Sequence, residues 1–313
     1  MRAPLVWGVI EKLRRGEDSL PPVHATPTVK PVARVTRLGL LVLAATLFVV
    51  GLPLVLAPTQ TDRWFAWTIE PPLTAATLGA CYWGSLVLVV LCARERAWAC
   101  ARVAAPGILV AGTLLLVATL IHIDRFHTDS VTGWTWVVLY ALLPPGAILM
   151  LVIQARLPGG DPPREAPLPR WAQGFLCVHA AVLLGVGAAL FVAPEDAASI
   201  WPWSLTPLTS RSIAAWMLAL GASASQALYE RDWMRLRSPF PGYGAVGVLA
   251  LLALARFSDT PDWSAPAVWF YAAFLASMVA FATYATAAAR RHAARNRTAD
   301  ELAAAIPKPV VDR

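Results

Sequence analysis

Apolar residues along this 313-residue chain fall into long runs, without the strict alternation of strands or the narrow stripe of surface helices. A helix rises about 1.5 Å per residue, so about 20 apolar residues cross the hydrocarbon of a bilayer. Eight runs qualify, at roughly 36–57, 72–93, 103–123, 134–155, 171–193, 209–229, 240–257 and 265–288. The seventh is the shortest, and Arg256 at its end can snorkel to the interface. The pattern predicts an all-α integral membrane protein with eight transmembrane helices. Pro144-Pro145 in the fourth run predicts a kink, since proline removes a backbone donor and crowds the preceding turn.

The polar segments between the runs set an orientation. Basic residues mark every second loop: Arg94, Arg96 and Arg102; Arg156, Arg164 and Arg170; Arg231, Arg235 and Arg237. Both tails are basic too, with Arg2, Lys12, Arg14, Arg15, Lys30, Arg34 and Arg37 before the first run and Arg290, Arg291, Arg295 and Arg297 after the last. The remaining loops carry acids, among them Glu70, Asp124, Asp129, Glu195, Asp196, Asp259 and Asp262. Positive charge stays in the cytoplasm, so both termini are expected there. About 35 polar or mixed residues precede the first run, unlike a secretory signal, so that run is expected to remain as an anchor.

The chain matches itself at an offset of 135 residues. Between 72–134 and 207–269, 16 of 63 positions are identical, where about six would match by chance in so Ala- and Leu-rich a chain. Pro72-Leu73-Thr74 aligns with Pro207-Leu208-Thr209, and Glu95-Arg96-x-Trp98 with Glu230-Arg231-x-Trp233. Arg102 aligns with Arg237, Pro106-Gly107 with Pro241-Gly242, Asp124 with Asp259 and Trp134 with Trp269. A one-residue shift aligns Pro58 and Trp67 with Pro194 and Trp203. The expected organisation is an N-terminal tail at 1–35, a four-helix repeat at 36–155, a linker at 156–170, a second four-helix repeat at 171–288 and a C-terminal tail at 289–313. Four spans per copy is even, so the two repeats are parallel, related by an axis along the membrane normal.

Composition narrows the classes. Hydrophobic residues make up 58% of the chain and charged ones 14%, where a soluble domain carries about a quarter charged; the mean hydropathy is +0.57. The net charge of +7 sits between apolar runs and not on one face, so no nucleic-acid partner is expected. Cys81, Cys92, Cys100 and Cys177 match neither a zinc site nor a redox CxxC spacing and are expected to be free thiols. Phosphate-binding glycine loops, GxSxG elbows and HExxH pairs are absent in usable contexts, so no cofactor and no catalytic residue is expected.

The candidate site residues carry competing readings. Trp67 and Trp203, with Thr74 and Thr209 in the next first turn, line an outward cavity or form an aromatic belt at the headgroups, where Trp is enriched. Glu95, Arg96 and Trp98, with Glu230, Arg231 and Trp233, form a docking surface or a local structure in which Glu and Arg pair and Trp marks the interface. His122, Asp124 and His127 ligate a metal, haem or quinone, or form a polar helix end. On one helix His122 and His127 stand about 140° apart, so they converge only if the helix ends between them. His179, about eight residues into the fifth run, is an intramembrane functional candidate or a neutral His bonded to a neighbouring helix. Arg256 has Asp259 and Asp124 as expected partners, and Ser223 and Ser225 are expected to aid close helix packing.

With its Trp-x-Trp-x-x-x-Pro-Leu-Thr and Glu-Arg-x-Trp patterns, the chain resembles a family of uncharacterised multi-pass membrane proteins from high-GC bacteria, from about residue 36 onward. The resemblance implies a bacterial inner (plasma) membrane and carries no activity. The leading expectation is a non-enzymatic protein that binds a lipid or a membrane-protein partner. A small-molecule transporter is the alternative, and a metal-, haem- or quinone-linked oxidoreductase the second.

Overall fold

The computed structural model describes residues 29–305, so most of the basic N-terminal tail and the last eight residues lie outside the described part. The described chain is all-α, with eight long helices: α1 Arg34–Leu56, α2 Pro72–Arg94, α3 Ala104–Ile121, α4 Val131–Arg156, α5 Arg170–Val192, α6 Pro207–Glu230, α7 Pro239–Arg256 and α8 Pro266–Ala305. Their starts follow local chemistry. Proline opens α2, α6, α7 and α8, where a missing N–H costs nothing. Ser130 caps α4 by accepting a bond from the Gly133 N–H, and Thr206 with Thr209 forms a capping box on α6. α4 continues through Pro144 and Pro145.

Seven of the eight helices are long and apolar enough to cross a bilayer among the described residues. The exception is α6, which carries Ser210, Arg211, Ser212, Ser223, Ser225 and Gln226. It lies inside the bundle, packed on α3 and α5. Its polar groups face protein: Ser210 Oγ donates to the Leu190 carbonyl at 3.0 Å and Arg211 Nε to the Phe191 carbonyl at 3.2 Å. A helix screened from lipid does not need an apolar circumference. At the other extreme α8 runs for 40 residues, about 60 Å, twice the hydrocarbon thickness of about 30 Å. The stretch expected as a separate tail from 289 is therefore helical as far as Ala305.

The packing order is compact to state. α2 packs on α1 and α7, and α6 packs on α5 and α3. α3 also packs on α4, α7 on α8, and α1 touches α4. The two seams between α1–α4 and α5–α8, α2 on α7 and α3 on α6, are built on small residues. A Cβ at Gly242 of α7 would stand 2.8 Å from the Leu88 backbone nitrogen, and one at Gly107 of α3 would collide with Ser223 Oγ. These are the two glycines of the aligned Pro-Gly pairs, and backbones approach this closely only where no side chain intervenes. Ser223 meets its packing expectation here, whereas Ser225 bonds back to the Gly221 carbonyl of its own helix.

One end of the bundle gathers four polar segments. Val32 N–H donates to the Arg96 carbonyl and Trp98 N–H to the Lys30 carbonyl, tying the segment before α1 to the α2–α3 loop. Leu168 N–H donates to the Arg231 carbonyl and Trp233 N–H to the Ala166 carbonyl, tying the linker before α5 to the α6–α7 loop. Gln154, fully buried at the end of α4, clamps the first segment by donating to the Pro31 carbonyl and accepting from the Ala33 N–H.

Gly84 tests the α2–α7 seam. A Cβ there would stand 2.6 Å from the Val246 backbone nitrogen and 2.8 Å from its Cα. Gly84→Ala is expected to destabilise the detergent-purified protein by about 1–3 kcal/mol, the cost of overpacking. Gly146→Ala, with nothing within 4 Å of its added Cβ, is expected to leave the melt unchanged. Thermal melting followed by size-exclusion chromatography reads both; equal melting of the two variants would contradict the seam.

Candidate functional site

The charged end holds two glutamate carboxylates buried almost completely, Glu95 at 7% and Glu230 at 0% exposure; the equally buried Asp232, at 1%, accepts from the backbone N–H groups of Ala166, Met234 and Arg235. Local pairing within each Glu-Arg-x-Trp segment was the expectation, and the structure corrects it. Arg96 and Arg231 are not buried and bind neither carboxylate; Arg231 instead caps α6 in the left-handed region, with its Nε donating to the Leu228 carbonyl. Glu95 receives two bonds from Arg237, Nε at 2.9 Å and Nη2 at 2.5 Å, and one from Ser238 Oγ. Glu230 receives two from Arg102, Nε at 2.5 Å and Nη2 at 2.8 Å. Each carboxylate thus binds the arginine of the other half, crosswise between aligned positions. Neighbours in sequence, at the end of a helix, point apart and cannot make this forked geometry.

The Glu230 node is the larger. Gln226 and Arg235 also donate to Glu230, and Arg102 forks onto Asp161 in the linker at 2.9 and 2.7 Å. Arg235 reaches the Pro162 carbonyl, and Arg164 Nε the Glu230 carbonyl. Burial pushes the Glu230 carboxyl up, but hydrogen bonding and charge from Arg102, with Arg235 and Gln226, outweigh it and hold the group below its ordinary value. Hydrogen bonding to Glu230 likewise raises Arg102, and hydrogen bonding to Glu95 raises Arg237. Trp233 is buried beside Phe240 and Phe281, while Trp98 is half-buried. This arrangement can hold loops and helices in register; both carboxylates are consumed by their arginines.

At the opposite end the belt reading fails for two tryptophans. Trp67 and Trp203 are buried, at 2% and 5% exposure. Trp67 sits in a cluster with Phe65, Phe126 and Trp136. Trp203 Nε1 donates to Thr74 Oγ1 at 2.8 Å, again joining the two halves, whereas Thr209 is engaged by its own cap. The loops are therefore folded inward, and the indoles serve as core.

His122, Asp124 and His127 do not converge. The helix ends between the imidazoles, as convergence required, yet each turns to a separate partner. His122 Nε2 accepts from Arg211 Nη1 at 2.7 Å, and burial followed by the Arg211 charge lowers its basicity. His127 Nδ1 lies 3.1 Å from the Phe65 carbonyl and Nε2 3.4 Å from Thr68 Oγ1. Asp124 pairs with Arg125 at the surface, at 3.1 Å. Among the described residues no three His, Cys, Asp or Glu side chains group as a metal site. Arg256 pairs with neither expected acid: its Nη1 donates to the Val55 carbonyl at 3.0 Å, one of the carbonyls left open at the end of α1. The four cysteines are free thiols.

Among the described residues the apolar interior holds three polar nodes, one of them Trp136 Nε1 donating to Thr119 Oγ1 at 2.9 Å between α4 and α3. His179 is buried, as read from its depth in α5, and both nitrogens have partners: Nδ1 lies 2.6 Å from Tyr243 Oη of α7, and Nε2 3.1 Å from Ser277 Oγ of α8. Its ring stacks between Phe175 and Phe274, at 4.0 and 4.4 Å. Tyr82 Oη and Tyr140 Oη pair at 2.6 Å between α2 and α4. Neither of these tyrosines, nor Tyr243 or Ser277, belongs to a motif in the sequence. Mid-span Tyr was the available signal, because a buried phenol needs a partner. No family model matches the chain, and no curated protein or solved structure matches it.

The crossed pairs are tested by charge reversal. Glu95→Arg is expected to set a second guanidinium against Arg237 and to destabilise the protein by less than the about 3–5 kcal/mol of a fully buried pair, because the Arg237 side chain is 44% exposed. Glu95→Arg/Arg237→Glu is expected to recover part of the lost melting temperature. Glu95→Arg/Arg96→Glu is expected to recover none, and rescue by that second combination would restore the local-pairing reading.

Proposed function

We propose that this chain is a non-enzymatic membrane protein of eight spans, built as one four-helix unit used twice in parallel, which binds lipid from its bilayer. Support for the eighth span comes from α6, whose polar groups are turned to protein and whose 24 residues suffice to cross. Support for duplication comes from the aligned residues, which repeat their contacts: Glu95 with Arg237 as Glu230 with Arg102, and Pro31 bridging Ala97 as Pro167 bridges Asp232. The positive-inside bias supports a cytoplasmic setting for the charged end and both termini, and the resemblance carried by the Glu-Arg-x-Trp pattern supports a bacterial inner membrane.

The observation that carries the binding reading is a set of apolar grooves along the sides of the bundle. One of about 440 Å³ lies between α1 and α4, walled by Val49, Pro53, Leu56 and Leu139. Another of about 740 Å³ lies between α7 and α8, walled by Val248, Leu249, Val279 and Ala282, with Arg290 at one end. Grooves of this composition in a bilayer fill with acyl chains, and a terminal arginine suits a phosphate headgroup. A transporter needs a polar route between its halves. The cavities that border both halves, two of about 40 and 60 Å³ and one of about 360 Å³, are lined mainly by Leu, Val, Ala and aromatic side chains with no charged residue, which favours binding over transport.

Two measurements check this reading. Cysteines placed at 129 and 260 are expected to label from the periplasmic side, and one at 160 is not; labelling of 160 from outside would sink the orientation and the even span count. Native mass spectrometry of the protein released from membranes is expected to retain phospholipid adducts, fewer after Arg290→Ala. Repeated recovery of the bare chain, or of the chain with a stoichiometric protein, would overturn lipid binding.

A further inference from the structure

The halves differ most where they would be filled alike. At the offset of 135 residues, Tyr82, Trp136, Tyr140 and Trp216 align with Met217, Tyr271, Leu275 and Cys81. The first set is packed ring on ring: Tyr82 on Trp216 at 4.8 Å and Trp136 on Tyr140 at 4.3 Å, with the Tyr82–Tyr140 hydroxyl pair between. The cavity left among those residues is about 60 Å³. At the aligned positions, three of them in the second half and Cys81 in the first, each of the four is replaced by something smaller. A cavity of about 360 Å³ results, with Cys81, Met217, Leu275 and Tyr271 in its wall. That volume falls within the range of small-molecule sites, about 300–1,000 Å³.

Its shape has a closed floor, a side opening and a polar roof. Phe274 forms the floor, stacked on His179, where the bonds from His179 to Ser277 and Tyr243 close α5 on α8 and α7. Above that, Val182 and Val186 of α5 face Ala267 and Phe270 of α8, and the exposed Phe270 and Ile200 mark an opening toward the bilayer. The α5–α6 loop folds over the top. There the Trp201 indole nitrogen is buried with no partner, its ring 5.5 Å from that of Tyr271. The Thr77 hydroxyl, 4% exposed, also lines the cavity; it lies beside Tyr271 but outside hydrogen-bond geometry and has no partner either. A buried donor without an acceptor is costly, and an apolar chamber with a few convergent unmet polar groups is the form of a ligand site.

We propose that this cavity holds a neutral, chain-like lipophilic molecule with an oxygen acceptor at one end, which enters between α5 and α8 and receives hydrogen bonds from Trp201 and Thr77. An indole can only donate, so the ligand end must accept: a ketone, aldehyde, ester or alcohol oxygen. No charged side chain lines the chamber, so the ligand is neutral. The proposal rests on the lipid-binding reading and narrows it to one class at one place. His179 acts here as a positioning residue for the floor.

The test uses the full chain labelled with 5-fluorotryptophan in phosphatidylcholine nanodiscs, with 2-tridecanone and tridecane as probes. Trp201→Phe assigns the Trp201 fluorine signal. The ketone is expected to shift that signal saturably, and tridecane at the same mole fraction is not. Thr77→Val is expected to weaken the ketone response about five-fold, the loss of one hydrogen bond. Met217→Tyr/Leu275→Tyr, which places in this half the tyrosines of the other, is expected to abolish the response; if that variant does not fold, Thr77→Val still decides. An equal shift by ketone and alkane, or an unchanged response in Thr77→Val, overturns the proposal. No shift with either probe overturns it as well, and phospholipid adducts in the same preparation then show that the broader lipid reading survives; their absence removes both.

Discussion

Two buried glutamates, each held by a guanidinium from the opposite half, fix the charged end of this bundle. A carboxylate with 0% exposure, as at Glu230, persists as an ion only where forked donors replace its water. Arg102 and Arg235 supply them, and Glu95 draws the same service from Arg237 and Ser238. Because the donors come from across the seam, the carboxylates cannot be satisfied unless α2, α3, α6 and α7 stand in one register. The close contacts at Gly84, Gly107 and Gly242 depend on that register, since a shift of one residue would bring a side chain against backbone. Apolar segments in lipid have little hydrophobic reason to choose one partner over another, so polar ties and backbone fit do the choosing.

The far end is joined differently and less evenly. Trp203 gives its indole hydrogen to Thr74 across the halves, but the aligned Trp67 gives its own to nothing and rests in an aromatic cluster. This inequality extends inward. Tyr82, Trp136 and Tyr140 of one half pack with Trp216 of the other, whereas the aligned Met217, Tyr271 and Leu275, with Cys81 across the seam, leave space. The aligned residues therefore make like contacts at the charged end and unlike ones in the middle of the bundle.

Helix positions were legible because hydropathy is a property of each segment alone. The eight runs read from the chain coincide with the eight long helices to within about three residues at nearly every end, Arg290 onward excepted. There the polar stretch after 288 says only that it is not in hydrocarbon; that it continues α8 follows from Ala- and Arg-rich helix propensity that a hydropathy reading does not weigh. The mid-bundle setting of α6 was not legible, since its serines and Arg211 read the same whether they face lipid, water or another helix.

Side-chain partners were legible only where they are local, as at the Thr206–Thr209 cap. The pairing of Glu95 with Arg237 spans more than 140 residues, and no spacing rule reaches that far; adjacency in sequence pointed to Arg96 instead. For the same reason His122 and His127, close in sequence, were separated by Arg211 and Phe65, which the fold brings to them as partners. The sequence by itself determined where helices form and which residues recur, because those depend on each segment's own transfer energy and on the order of residue types. The tertiary structure decided which recurring residues meet, which tryptophans are core and where a chamber stays open, because those depend on distances between helices that no single segment contains.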